Sequence, residues 1–306
     1  MDQLEQSFTK QDEIYPYLLR QIYNPPQKLY YRGNLRILNK TCIAIVGTRK
    51  STEYGEFLTK KIIEELSNLD IAIVSGLAKG IDTIAHTEAI RNNLSTIAVL
   101  GSGINNIYPK SNVALSEEIL KNNLMISEYE GMSEPIDYQF PARNRIISGL
   151  SIATLVIEAP ESSGALITAK YALDQGREIF TIPGDIDRKN AIGPLKLLQN
   201  CAAYPISSGY EIIDILKKQP HLFELSDRQN PSSKPAKPTN FKQTVTYRLS
   251  KAEDKVISSL SQRRGITVQE IQNKTDLAID QLLSTLSLLE IRDLVAFRDE
   301  KYFKTC

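Results

Sequence analysis

Four short segments rich in glycine, hydroxyl and basic side chains each follow an apolar run in this sequence. They are residues 46–51, 75–80, 101–110 and 158–164. Glycine lets the backbone approach an oxyanion, and free N–H groups at the start of a helix donate hydrogen bonds to it. Basic side chains in the same segments add positive charge. The pattern predicts a ligand with several phosphates in a row, either a nucleic-acid backbone or a dinucleotide.

A fifth segment, residues 140–145, places two arginines around an asparagine just before an apolar pair. Guanidinium groups match phosphate oxygens and can stack on bases. We expect Arg143 to be exposed to the ligand and Arg145 to brace the fold. Aromatic side chains that can stack on bases occur nearby, and they are Tyr129, Tyr138 and Phe140.

Six apolar runs rich in Ile and Val have the length and composition of strands buried on both faces. They span residues 42–46, 71–74, 96–100, 124–127, 153–157 and 179–182. Helical patterns separate them, for example at residues 54–66, 81–92 and 165–175. This alternation predicts an α/β fold with a doubly wound, mostly parallel sheet of the Rossmann-like type.

The carboxyl ends of parallel strands meet at one edge of such a sheet, and ligands bind there. We therefore expect the glycine-rich segments to lie together and to form one binding surface. The predicted binding residues are Gly47, Thr48, Arg49, Ser75, Gly76, Lys79, Gly80, Lys110, Arg143, Asn144, Ser163 and Gly164.

A dinucleotide ligand fits the details of the sequence poorly. The turn after the first strand, residues 47–49, lacks the second glycine of the Gly-x-Gly-x-x-Gly pattern, and residues 101–103 lack the third. A Walker A pattern is also absent. We expect no bound cofactor, and the spacing of the three cysteines predicts no metal site.

Asp82 and His86 offer the strongest catalytic pairing, since they lie four residues apart on one predicted helix. Glu158 ends a strand beside a serine-rich loop. Pairs at this spacing more often stabilise a helix than perform catalysis. The chain holds only 2 histidines, the residue most used in acid–base catalysis. We expect no catalytic residues.

Proline and charge divide the chain into four parts. Residues 1–24 are predicted to be an N-terminal helical segment, and residues 25–216 the Rossmann-like domain. Residues 217–245 are rich in Pro, Ser and Lys and predict a linker. Residues 246–306 carry three helical patterns and two short strand patterns around a charged turn. That order resembles a small winged-helix domain.

The composition predicts a cytoplasmic protein. The formal net charge is only +1, so positive groups that meet a polyanion must be gathered locally. The first twelve residues are polar and acidic and lack the features of a signal peptide. Apolar runs stay shorter than the roughly 18 residues that cross a membrane. We therefore expect no membrane association.

The ordered motifs resemble the DprA/Smf family, and the similarity extends over residues 25–213. The segments that carry it are residues 46–49, 75–82, 101–103, 108–112, 127–129, 140–145, 163–169 and 182–184. The resemblance implies a Rossmann-like domain that binds single-stranded DNA and self-associates as a homodimer. It also implies loading of the RecA recombinase during natural transformation, and no enzymatic activity. Arg49 stands in the family's Gly-Ser-Arg position.

Two positions depart from the family pattern. Thr48 replaces Ser and keeps the hydroxyl group. Asp137 stands where many members carry Lys, which removes a phosphate contact. In the C-terminal segment, the predicted recognition helix at residues 278–290 contains no Lys or Arg. Because groove-reading helices present basic or amide groups, this module is better suited to protein contact.

One enzymatic alternative is a nucleotide-hydrolysing protein of the lysine-decarboxylase-like Rossmann type. Such enzymes share a glycine-rich loop before a helix on a similar fold. Their Pro-Gly-Gly-x-Gly-Thr pattern is replaced here by residues 162–165, Ser-Ser-Gly-Ala. Release of a free base from nucleoside monophosphates would distinguish this alternative from DNA binding.

Overall fold

A computed structural model describes residues 6–218, 251–261, 265–291, 294–298 and 301–304. The chain divides into two compact units, Met1–Lys234 and Pro235–Cys306. The boundary falls inside the predicted linker, residues 217–245. Of that linker, only Lys217 and Lys218 are among the described residues.

The first unit is built on a nine-stranded sheet in the order β1-β2-β6-β5-β4-β3-β7-β8-β9. Strands β3 to β9 run parallel, β2 is antiparallel to β6, and β1 is antiparallel to β2. The strands are β1 Gln6–Thr9, β2 Lys28–Gly33, β3 Thr41–Val46, β4 Ile71–Ser75, β5 Ser95–Leu100, β6 Leu124–Ser127, β7 Ala153–Val156, β8 Glu178–Thr181 and β9 Tyr204–Pro205.

Helices cover both faces of this sheet. They are α1 Tyr17–Arg20, α2 Glu53–Leu66, α3 Ile81–Arg91, α4 Val113–Asn122, α5 Gln139–Leu150, α6 Gly164–Asp174, α7 Ile192–Gln199 and α8 Gly209–Lys217. Alternate residues of β3 enter two different cores. Ile43 and Ile45 pack with α2, α3 and α8, whereas Ala44 and Val46 pack with α5 and α6. The predicted doubly wound, mostly parallel sheet is confirmed, and burial on both faces explains the unbroken apolar runs.

Strand β3 is the point at which the sheet changes direction. From β3 the chain winds through β4 and β5 to β6, and β7, β8 and β9 then extend the sheet on the other side of β3. The loops after β3 and β7 lead to helices on opposite faces, α2 and α6. A crevice therefore opens between them at the carboxyl edge, where ligands of open α/β sheets bind.

Residues 1–24 differ from the predicted helical segment. Of the described residues 6–24, only Tyr17–Arg20 is helical, and Gln6–Thr9 instead forms a strand at one edge of the sheet. Phe8 is buried there, with ring centroids 6.0 Å from Tyr15 and 5.9 Å from Tyr31. A four-residue strand with one apolar side chain has no periodicity to read. Its pairing with β2 therefore shows only in the folded chain.

The described residues of the second unit form three helices and a hairpin. They are α9 Lys251–Ser259, α10 Val268–Thr275, α11 Ile279–Ile291, β10 Val295–Arg298 and β11 Lys301–Lys304. Val256, Leu282, Leu286 and Leu289 are among the residues of its core. Thr267 and Glu270 form a capping box at the start of α10, which satisfies backbone N–H groups that the helix leaves free.

Among the helices of the described residues, none is long and apolar enough to cross a membrane.

Candidate nucleic-acid interface

A cavity of about 500 Å³ lies at the change of direction in the sheet. Its walls come from the loop after β3 and from the first turns of α5 and α6. We call it the switch cavity. A second cavity of about 190 Å³ shares Arg49, Phe140 and Arg143 with it and adds Gly76, Lys79 and Tyr108. We call this the side cavity.

Arg49 is an exposed cation at this place, as are Lys50 and Lys79. The loop that carries Arg49 packs closely against Ile81. A Cβ atom on Gly47 would lie 2.5 Å from that side chain, so the position needs glycine. The backbone N–H of Thr48 donates to the carbonyl of Glu158 at 2.7 Å, which ties the loop to the end of β7. The Arg49 guanidinium lies 5.7 Å from the ring centroid of Phe140 and forms no ion pair within the described residues. Its charge is therefore available to a ligand.

Arg143 is buried, so the prediction of an exposed side chain was wrong. It is only 4% exposed, and its Nη1 donates to the backbone carbonyls of Gly76, at 2.7 Å, and Val99. The side chain thus closes the carboxyl ends of β4 and β5 and forms part of the wall of both cavities. Arg143 precedes Ile146, Ile147 and Leu150 on α5 by three, four and seven residues. This helical spacing puts all four side chains on the face that packs against the sheet, so the sequence could have predicted the burial of Arg143.

Asp82 lies beneath the same wall. Its carboxylate accepts from the backbone N–H groups of Gly76, at 3.0 Å, and Ala78, at 3.4 Å. Burial raises the pKa of Asp82, and the charge of Arg143 opposes that shift. Burial lowers the pKa of Arg143 to about 10, with Asp82 opposing, so the guanidinium remains protonated at neutral pH. A buried guanidinium and a buried carboxyl group therefore lie under the cavity.

His86 has a different environment from Asp82, although both are on α3. Its Nδ1 lies 2.8 Å from the Thr96 hydroxyl, which itself donates to the carbonyl of Ile73. His86 therefore donates from Nδ1, and its buried Nε2 has no partner within the described residues. Burial lowers the pKa of His86 to about 3. The two side chains have separate partners and do not form an acid–base pair in the cavity.

The start of α6 forms the opposite wall. The hydroxyl of Ser163 accepts a hydrogen bond from the N–H of Ala165, which caps the helix. Gly164 has open space where its Cβ would be, and the amide of Asn144 donates to its carbonyl at 3.2 Å. The positive end of the helix dipole thus faces a cavity that also holds Arg49.

The structure brings together most of the predicted binding residues. Those at the switch cavity are Gly47, Thr48, Arg49, Arg143, Asn144, Ser163 and Gly164, and those at the side cavity include Gly76 and Lys79. Ser75, Gly80 and Lys110 line neither cavity. The Ser75 hydroxyl donates to the carbonyl of Ile45 at 2.7 Å, and the Lys110 ammonium donates to Asn106 at 2.9 Å.

Gly80 has a structural part in the same loop system. Its φ of 75° is unfavourable for other residues, and a Cβ atom would lie 2.3 Å from the carbonyl oxygen of Thr48. Arg145 braces the fold as predicted, because its Nη2 donates to Glu128 at 2.7 and 2.9 Å. Its Nε also donates to the carbonyl of Asn24 at 2.9 Å, which attaches the N-terminal segment to α5.

Lys50 and Tyr108 are among the cavity residues that the predicted set lacks. Lys50 follows Arg49 and lines the switch cavity. Tyr108 lines the side cavity, and its ring centroid lies 5.4 Å from that of Phe140. The sequence feature that could have indicated Tyr108 is a tyrosine followed by proline after a glycine-rich turn. Of the predicted aromatic residues, Phe140 lies at both cavities, while Tyr138 is exposed and lines neither.

The fold and the site define a Rossmann-like α/β protein with a cationic cavity at the change of direction in its sheet. The model of the family described as DNA recombination-mediator protein A matches residues 6–217, and the chain belongs to this family. The resemblance to the DprA/Smf proteins is confirmed.

Proteins of known structure extend this comparison. DNA processing protein DprA of Streptococcus pneumoniae is 42% identical over 207 residues, which cover 68% of this chain and 73% of that protein. Its X-ray structure has a TM-score of 0.67 over 69% of this chain and 74% of that chain. DNA processing protein A of Helicobacter pylori, which binds single-stranded DNA, has a TM-score of 0.63 and 32% identity, covering 70% of this chain and 97% of that chain.

Proposed function

We propose that this protein binds single-stranded DNA at the switch cavity. The observation that carries the proposal is the exposed Arg49, which has no acidic partner among the described residues and faces the N-terminus of α6. A backbone phosphate fits between this guanidinium, Lys50 and the first N–H groups of α6. The likeness to the Helicobacter pylori protein, which binds single-stranded DNA, supports the same ligand.

The aromatic residues support single strands over duplexes. Phe140 and Tyr108 lie beside Arg49, with ring centroids 5.4 Å apart. Unstacked bases can pack against such faces, whereas bases within a duplex are already stacked on one another. Asp137 is exposed one residue before Tyr138, and its negative charge lowers the affinity relative to family members with Lys there.

We extend the proposal to the second unit and to the partners. The order of α9, α10, α11 and the hairpin supports a winged-helix domain. Ile279 and Leu283 are exposed on α11, and that helix has no Lys or Arg, which favours protein contact over DNA contact. The family's description as recombination mediators supports loading of a RecA-type recombinase onto incoming DNA in natural transformation. The family resemblance also supports a homodimer, which light scattering in solution would test.

The central test replaces Arg49 by alanine. Fluorescence anisotropy with a single-stranded oligonucleotide over a salt series should show a dissociation constant raised about tenfold or more, since charge-assisted contacts to phosphate are strong. The slope of log affinity against log salt should fall by about 0.7 if one phosphate contact is lost.

Arg36 supplies a matched control. It is exposed just before β3, at the opposite end of that strand from Arg49, and Arg36→Ala removes the same charge. We expect this variant to bind like the natural protein. Equal losses in Arg49→Ala and Arg36→Ala would show that binding depends on net charge alone and would exclude the switch cavity as the site.

A further inference from the structure

A third cavity, of about 260 Å³, lies next to the switch cavity at the carboxyl edge of the sheet. The start of α2 forms one wall with Thr52 and Tyr54. The end of β7 contributes Glu158, and the segment after β8 closes the other side with Pro183 and Arg188. We call it the outer cavity. The DNA-binding residues named above do not include any of these side chains.

Hydrogen bonds fix the outer cavity relative to Arg49. The Glu158 carboxylate accepts from the backbone N–H of Thr52 at 3.0 Å and also from its hydroxyl. The side-chain amide of Asn190 donates to the carbonyl of Lys50 at 3.2 Å, and the backbone carbonyl of Asn190 accepts from the N–H of Ala159 at 2.8 Å. The loop that carries Arg49 and Lys50 is thus the shared wall of a preorganised pair of cavities.

The lining of the outer cavity suits a planar apolar group. Leu58, Ile157 and Ile182 are buried and supply its apolar surface. Tyr54 is 41% exposed, and the guanidinium of Arg188 lies 5.0 Å from its ring centroid. Asp185 holds that guanidinium with a 2.8 Å ion pair. A flat ligand can stack on the tyrosine ring or on the guanidinium plane.

The charges of the two cavities differ in a way that separates the parts of a nucleotide. The switch cavity presents Arg49, Lys50 and the N-terminus of α6, which attract phosphate. The lining of the outer cavity is less basic, because beside Lys189 and Arg188, which pairs with Asp185, it includes the Glu158 carboxylate, which can accept hydrogen bonds from the amino groups of a base. With about 260 Å³, it has room for one nucleobase.

We propose that the outer cavity binds a nucleobase of the same DNA strand whose phosphate lies at Arg49 and Lys50. The base stacks against Tyr54 and Arg188, and the strand passes over Lys50 and Asn190. This inference rests on the proposed function and deepens it, because it assigns a second contact along the strand.

The test combines variants with abasic DNA. The shortest oligonucleotide that binds with full affinity is prepared with a single abasic site at each position in turn. Tyr54→Ala should weaken binding of the intact strand at least about fivefold, as loss of one base–aromatic stack does. At one position, the abasic site should weaken binding by the natural protein by a similar factor and should cause no further loss in Tyr54→Ala.

Two variants of α2 serve as controls. Tyr54→Phe keeps the ring and should bind as the natural protein does. Phe57 is a more exposed aromatic residue on the same helix that does not line the cavity, so Phe57→Ala should also bind normally.

The outcomes separate the two proposals. If Arg49→Ala weakens binding while Tyr54→Ala and Phe57→Ala behave alike with every oligonucleotide, the base site is wrong and the proposed function stands. If Arg49→Ala binds normally, the proposed function is wrong. The base site in the outer cavity is then also wrong, because it depends on a DNA strand bound at Arg49.

Discussion

At the scale of single residues, the glycines of the binding loops perform two different tasks. Gly47 and Gly76 permit close packing within the protein, since a Cβ atom on Gly76 would lie 2.7 Å from the guanidinium of Arg143. Gly164 instead has empty space at its Cβ position and opens onto the switch cavity. The close approach of Gly76 to Arg143, and the hydrogen bond from its N–H to Asp82, place a buried guanidinium and a buried carboxyl group below a surface proposed to bind phosphate.

His86 gives a prediction at this scale. Its pKa is about 3 in the folded protein and about 6.5 in an unfolded chain. The unfolded chain therefore binds the extra proton first as the pH falls, and stability is lost between those two values. Lowering the pH from about 7.5 to about 5 should reduce the free energy of unfolding by roughly 2 kcal/mol from this residue.

Denaturant unfolding of the natural protein and of His86→Leu, at both pH values, measures that contribution. Leucine fills a similar volume and cannot be protonated, so the variant should lose less stability on acidification. Asp82 acts in the opposite direction, because its raised pKa favours the folded state at low pH, and it is present in both proteins. An identical pH dependence in the two proteins would contradict the assigned burial of His86.

At the scale of elements, Glu158 and Ala159 join two helices of opposite faces to the end of β7. Its carboxylate holds Thr52, whose hydroxyl also accepts from the N–H of Gly55 and so caps α2. The next residue, Ala159, accepts from the N–H of Gly193 in α7 through its carbonyl. These hydrogen bonds hold the junction of α2, α7 and the end of β7 in one conformation before any ligand binds. Less conformational entropy is therefore lost when the ligand binds.

We predict that Glu158→Ala lowers the free energy of unfolding by about 1–3 kcal/mol, because it removes the carboxylate that accepts part-buried hydrogen bonds from the N–H and hydroxyl of Thr52. The affinity for single-stranded DNA should also fall, since the loop of Arg49 loses its support. Thermal unfolding and anisotropy measure the two effects. Glu161→Ala is the matched control, because Glu161 is exposed and pairs with Lys196 at the surface. If both variants unfold alike, Glu158 does not support the junction.

At the scale of the whole molecule, the described cavities belong to the first unit. The large sheet has apolar cores on both faces, and the second unit has a separate core around Leu282 and Leu286. Each unit can therefore bury its apolar surface without the other. The exposed face of α11 is apolar and acidic, with Ile279, Asp280 and Glu290.

A chain that ends at Lys234 is expected to remain folded and to bind single-stranded DNA with unchanged affinity. Its cavities and cores are complete within Met1–Lys234. Circular dichroism and anisotropy, compared with the full chain, provide the measurement. A clear loss of affinity in the shortened but folded chain would assign DNA contacts to residues 235–306.

The sequence by itself determined the six central parallel strands, the helices between them and the edge at which Arg49 and Gly164 meet. These follow from local patterns, because apolar runs define buried strands and parallel strands direct their ends to one side. Only the tertiary structure decided that Arg143 is buried, that Gly76 serves packing and that residues 6–9 form a strand. The environment of a side chain and the pairing of a short edge strand depend on neighbours far away in sequence. Local periodicity contains no information about those neighbours.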